Sequence, residues 1–219
     1  MKTFDKTVRN QVVRVPDRGR YDYETIYHIV DEALFCHVGF VSQGQPFVIP
    51  TLHARRDDHV LLHGASTSRL MKHLESGEEV CLSMTLVDGI VLARSVFHHS
   101  MNYRSVVLFG RGSPIVGEEK LAAAEAFTEK LLPGRWDDAR QPNAQELKAT
   151  SVVSVPIQSA SAKIRTGPPK DDDEDYALPV WAGVLPLEQR LGDPRADPAL
   201  PEGTDLPAYL QTFLTSRNS

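Results

Sequence analysis

Between residues 35 and 63 the turn signals Ser42-Gln43-Gly44-Gln45 and Asp57-Asp58 separate three apolar runs, 35–41, 46–56 and 59–63. No stretch between them is long enough for a crossover helix. Parallel βαβ units are therefore excluded here, and an antiparallel meander is required. Pro50 within the second run predicts an edge or a bulge. Asp88-Gly89, between runs at 79–87 and 90–98, predicts a further hairpin, and later runs at 103–116, 151–157 and 159–165 also read as strands. Helical spacing appears at 23–34, at 68–76 (Leu70, Met71, Leu74) and at 117–132, where Leu121, Ala124, Phe127, Leu131 and Leu132 form the stripe. A short helix is expected at 145–150. The pattern predicts an α+β domain: mostly antiparallel strands built as a small barrel, with flanking helices.

Composition shifts after this body. Nine of the 15 prolines lie at or beyond Pro156, followed by the acidic run Asp171-Asp172-Asp173-Glu174-Asp175, which reads as a solvated loop. Around Trp181, residues 178–187 look like a segment laid on the body, and 206–214 like a terminal helix. At the other end, six Lys/Arg among the first 20 residues, against Asp5 and Asp17, read as a solvated arm. The organisation expected is an arm at 1–20, a domain at 21–188 and a tail with a short helix at 189–219. The net charge of −5 gives no general drive toward nucleic acid. No apolar run approaches membrane-spanning length, and two cysteines in apolar runs point to a reducing compartment. A cytoplasmic protein is expected.

Two constellations carry candidate chemistry. In 63–72, His63-Gly64-Ala65-Ser66-Thr67-Ser68-Arg69-Leu70-Met71-Lys72, a strand ends, small residues follow and a helix begins with hydroxyls at its cap. Free N–H groups there, with Arg69 and Lys72, suit a phosphate monoester. The same residues also suit a plain Ser N-cap flanked by two solvated cations. The second is the stretch 94–105, where His98, His99, Asn102, Tyr103 and two arginines including Arg104 crowd one loop. It is either a binding loop or a polar loop pinned by its own hydrogen bonds. The eight histidines lack the spacing of zinc motifs, so no metal site is predicted. Trp181 is either a core plug or an aromatic lid.

Taken in order, Gly39-Phe40-Val41, 46–52, His63-Gly64-Ala65 with Ser68-Arg69, Arg94-Ser95 through Arg104-Ser105, Pro133-Gly134-Arg135-Trp136, Ser161-Ala162-Lys163 and Trp181-Ala182-Gly183 resemble the pyridoxamine 5′-phosphate oxidase-like superfamily of flavin-binding split barrels. Within it the nitroimidazole-resistance (Nim-type) branch is most similar. The resemblance implies a six-stranded Greek-key split barrel, homodimeric, with FMN (or FAD) at the subunit interface. It places Ser66, Ser68, Arg69 and Lys72 at the phosphate. Pro50, Thr51, Leu52 and His53 would border the ring, with His63 beside it and His98, His99, Asn102 and Arg104 facing the cleft. Trp181 would close over the site. Leu70 stands where pyridoxamine phosphate oxidases carry lysine after the arginine, so vitamin B6 oxidation is not implied. The function expected is an FMN-dependent oxidoreductase passing electrons from NAD(P)H to a small acceptor, a nitro compound or quinone, with His63 or Tyr103 as proton source. The alternatives are a haem-binding or haem-degrading split barrel and a non-catalytic flavin carrier or sensor.

Overall fold

The computed structural model describes residues 2–218. Its strands are β1 (Gly19–Arg20), β2 (Phe35–Ser42), β3 (Gln45–Arg56), β4 (His59–Ala65), β5 (Glu79–Leu92), β6 (Ser100–Arg111), β7 (Ser113–Pro114), β8 (Thr150–Pro156), β9 (Ser159–Arg165) and β10 (Gly183–Pro186). The helices are α1 (Tyr23–Glu32), α2 (Arg69–Glu75), α3 (Glu119–Leu131), α4 (Arg135–Asp138), α5 (Ala144–Ala149) and α6 (Ala208–Asn218). The strands form one antiparallel sheet in the order β1-β9-β6-β5-β2-β3-β4-β8-β7, with β10 beside β5. This is the antiparallel α+β barrel that the meander required, extended at its edges by the two-residue pairings of β1 and β7.

Alternation sets the inside of the barrel. On β2, Cys36, Val38 and Phe40 are buried while Phe35, His37 and Val41 face out. Leu82 and Met84 of β5, Val106 and Leu108 of β6, and Val153 and Val155 of β8 join them in the main core. The α1 helix starts where the Asp22 carboxylate accepts the Thr25 N–H (2.8 Å), and it buries Ile26, Ile29 and Val30 against that core. A second, smaller core lies on the other side of the sheet. There Ala123 and Phe127 of α3 cover Ala54, Leu61, Ile115 and Val152.

Three local expectations differ from the structure. Asp88-Gly89 does not turn a hairpin: β5 runs on through it, and its register against β6 shifts between Val87 and Gly89. This is a bulge, and glycine fits it closely. A Cβ on Gly89 would stand 2.9 Å from Val184 Cγ1 and 3.1 Å from the Leu185 carbonyl oxygen of β10. The basic arm is not free in solvent. Phe4 stacks on Tyr23 (4.1 Å between centroids), and buried Asn10 donates to the carbonyls of Asp5 and Ala160. The acidic run is anchored at its first residue. The Asp171 carboxylate accepts the backbone N–H groups of Arg94 and Ser95 (2.8 and 3.1 Å) and pairs with the Arg94 guanidinium.

Candidate functional site

The 63–72 stretch lies between two concave regions. The first is an apolar cavity of about 470 Å³ between α3, α4, α5 and the sheet, walled by Leu52, His63, Phe127, Leu131, Leu132 and Trp136 among others. The strand end that carries His63 points the imidazole at Phe127, with ring centroids 4.3 Å apart. Neither ring nitrogen has a hydrogen-bond partner among the described residues, and Nδ1 is enclosed. Burial lowers the His63 pKa, which keeps the ring neutral with a free lone pair. Three cations stand at the cavity margin. Lys120 Nζ donates to the Leu147 carbonyl (2.6 Å), and Arg140 pairs with Glu146 through both terminal nitrogens. Arg135 heads α4.

The second is a polar groove of about 600 Å³ between the β2–β3 turn and α2, lined by Gln43, Gln45, Phe47, Thr67, Arg69 and Lys72 among others. The Ser68 hydroxyl accepts the Met71 N–H (3.1 Å) as the N-cap of α2. Arg69 is different. Its guanidinium lies 4.3 Å over the Phe47 ring, and no carboxylate pairs with it or with Lys72 among the described residues. Two cations without counter-ions beside an aromatic face are suited to an aromatic ligand bearing phosphate. Ser66, exposed, donates its N–H to Ala149 O. His63 and Arg69 stand six positions apart on one connection, so a single loop serves both regions.

The other candidates are dispersed. Leu52 walls the cavity, Thr51 sits half-buried and Pro50 faces out, paired with His37. His53 is 2% exposed; its Nε2 lies 2.8 Å from Val30 O and 2.9 Å from Lys130 Nζ, beneath α3. His99 Nδ1 accepts the Ala93 N–H, and His98 Nε2 meets Asp172 at 3.2 Å. Asn102 is buried and bonded to Arg165 and to Gly167 O. Arg104 is held between Glu32 and Asp88, which raise its pKa beyond reach and mark it as a structural clamp. Tyr103 is half-buried on β6 and lines neither region. Trp181 is 64% exposed, its ring over Gly183 and outside both regions. His98, Asp172 and Asp175 could share a cation by distance alone.

Sequence reasoning did not single out Phe47, Gln43 or Gln45 in the groove, nor Phe127, Leu131, Leu132 and Trp136 as cavity wall. The helical stripe at 121–132 does contain three of the wall residues, but a stripe is equally the signature of ordinary core.

Residues 22–164 match the pyridoxamine 5′-phosphate oxidase family. The chain belongs to that family. Among solved members of the fold, the flavocytochrome Anf3 of Azotobacter vinelandii is 42% identical, with a TM-score of 0.88 over 94% of this chain and 96% of that one. The FAD and haem binding protein of Mycobacterium smegmatis is 33% identical, with a TM-score of 0.86 over 89% and 96% of the two chains. A Bacteroides thetaiotaomicron protein assigned to 5-nitroimidazole antibiotic resistance shares the fold at 23% identity and a TM-score of 0.55, over 65% and 84%. No curated protein matches the chain. Among the described residues no helix is long and apolar enough to cross a membrane.

Proposed function

We propose that this family member is a redox protein that binds a flavin in the basic groove and a haem in the apolar cavity. The observation that carries the reading is the pair of unlike sites joined by the 63–69 connection. One holds an unpartnered imidazole in an apolar cavity, and the other unpaired cations beside an aromatic ring. The residues fit both groups. A cavity of 470 Å³ is in the range of small-molecule sites, and a neutral imidazole with an uncommitted nitrogen is what haem iron takes as axial ligand. The relatives at 42% and 33% identity, a flavocytochrome and an FAD and haem binding protein, support the same pairing.

In this reading His63 would hold the haem iron through its uncommitted imidazole nitrogen, and Leu52, Phe127, Leu131 and Leu132 would exclude water from the ring. Arg69 and Lys72 hold the flavin phosphate and Phe47 keeps the guanidinium in place. The bound groups supply electron transfer; the chain supplies position, dryness and charge. We assign NAD(P)H as electron donor and a small nitro compound or quinone as acceptor, and a second copy of the chain as partner. A partner is supported by the outward apolar face of Phe35, Val41 and Val48, all more than half exposed.

The visible spectrum of the purified protein, reconstituted with FMN or FAD and with haem, tests the reading. Flavin bands together with a Soret band are expected. His63→Ala should remove the Soret band and leave the flavin bands, and Arg69→Ala should weaken flavin binding at least tenfold while haem stays. A Soret band unchanged in His63→Ala would overturn the ligand assignment.

A further inference from the structure

We propose that Tyr209, from the C-terminal helix, is a positioning residue that holds Arg135 ready to pair with an acidic group on the cavity's ligand. The inference rests on the reading of the cavity as a ligand site and goes beyond it to the chemistry of the ligand's periphery.

The three cations at the cavity margin are not equivalent. Arg140 is committed to Glu146 through both terminal nitrogens, and the Lys120 ammonium, which bonds the Leu147 carbonyl, keeps two N–H donors but no planar fork to grip a carboxylate at both oxygens. Arg135 spends only Nη1, which donates to Asp138 Oδ2 (3.0 Å) and to the Tyr209 hydroxyl oxygen (2.9 Å). Its Nε and Nη2 have no partner among the described residues, which leaves three N–H donors for an anion. The Tyr209 hydroxyl in turn donates to the same Asp138 oxygen (2.7 Å). One phenol therefore takes up part of the acid's charge and orients the guanidinium at the same time.

The surroundings are built to receive this tyrosine. Arg135 follows Gly134, which sits at φ 85°, where side chains are disfavoured. A Cβ there would lie 3.2 Å from Tyr209 Cβ and Cγ, so the ring rests directly on the turn. From the other side the Glu129 carboxylate accepts the N–H groups of Gly134 and Trp136 (2.7 and 3.0 Å). The cavity-wall helix α4 is thus fixed by α3 and, through Tyr209, by α6. The span 187–207 that leads to α6 contains neither helix nor strand, so nothing in the local chain obliges α6 to be there. The ligand class that matches is an apolar ring system bearing a peripheral carboxylate, a description that haem with its propionates meets.

The test is the rate at which holoprotein loses haem to excess apomyoglobin, compared for haem and for haem dimethyl ester, whose propionates carry no charge. Tyr209→Phe should speed loss of haem about fivefold, the scale of one half-exposed charged contact, and leave loss of the ester unchanged. Arg135→Gln should have a larger effect, and adding Tyr209→Phe to it should have none. An unchanged haem rate in Tyr209→Phe, or equal acceleration of haem and ester, would overturn the proposal. If the wild-type protein takes up no haem, the haem reading fails. The inference is then decided with 8-anilinonaphthalene-1-sulfonate, an apolar ring system with one sulfonate, followed by its quenching of Trp136 in a Trp181→Phe background. Weaker binding in Tyr209→Phe supports the proposal, and equal affinity overturns it.

Discussion

His53 and Lys130 meet under α3 with the Val30 carbonyl between them, and burial acts on both. Burial, helped by the neighbouring ammonium, pushes His53 down to about 4, and burial pulls Lys130 down to about 8. In each case the unfolded chain binds more protons than the folded one between the folded pKa and the ordinary value. Stability must therefore rise with pH from about 4 to 6.5 through His53, and again from about 8 to 10.5 through Lys130. Urea unfolding midpoints across pH check this: Lys130→Met should flatten the alkaline rise and narrow, without abolishing, the acid limb, because burial alone still lowers His53. A different kind of buried group is Cys36, whose thiol burial raises to about 12. It should resist alkylation in the native protein at pH 8 and react only on unfolding. What the sequence could show of these residues was their type and strand. That His53 and Ala54 are buried in succession, against strand alternation, depends on α3 packing over the far side of β3, and no local pattern encodes that.

At the scale of elements, the strands and helices were legible almost throughout, because period-2 and period-3.6 patterns are local. The exception at Asp88-Gly89 is instructive. The same dipeptide serves a hairpin or a bulge, and the choice is made by what lies opposite: here β6 on one side and β10 on the other. Gly89→Val places a branched side chain against Val184 and the Leu185 carbonyl. It should lower the melting temperature by on the order of 5 °C and expose 177–190 to proteolysis before the barrel opens. The 94–98 loop is held the same way from a distance, by Asp171. Asp171→Ala should raise amide exchange at Arg94 and Ser95 selectively, measurable by mass spectrometry. Phe97, 86% exposed at the tip of this loop, stays outside any core in either case.

For the whole molecule, the ordered set of short motifs was enough to place the chain in its family, since strand spacing and turn positions fix a barrel's order. The two concave regions were less visible. The groove needs the β2–β3 turn to approach α2, and the cavity needs α3, α4 and α5 to stand off the sheet; both are long-range outcomes. The apolar outer face proposed to meet a second copy is also a property of the assembled sheet; on that proposal Val48→Glu should shift sedimentation toward monomer while the fold melts as before. Asn10 bonds to a carbonyl 150 residues away, and Gly19 pairs with Lys163 on the sheet's far strand. On a ribosome this segment must wait, unpaired, until β9 has emerged, so it docks after the strands made between them rather than before.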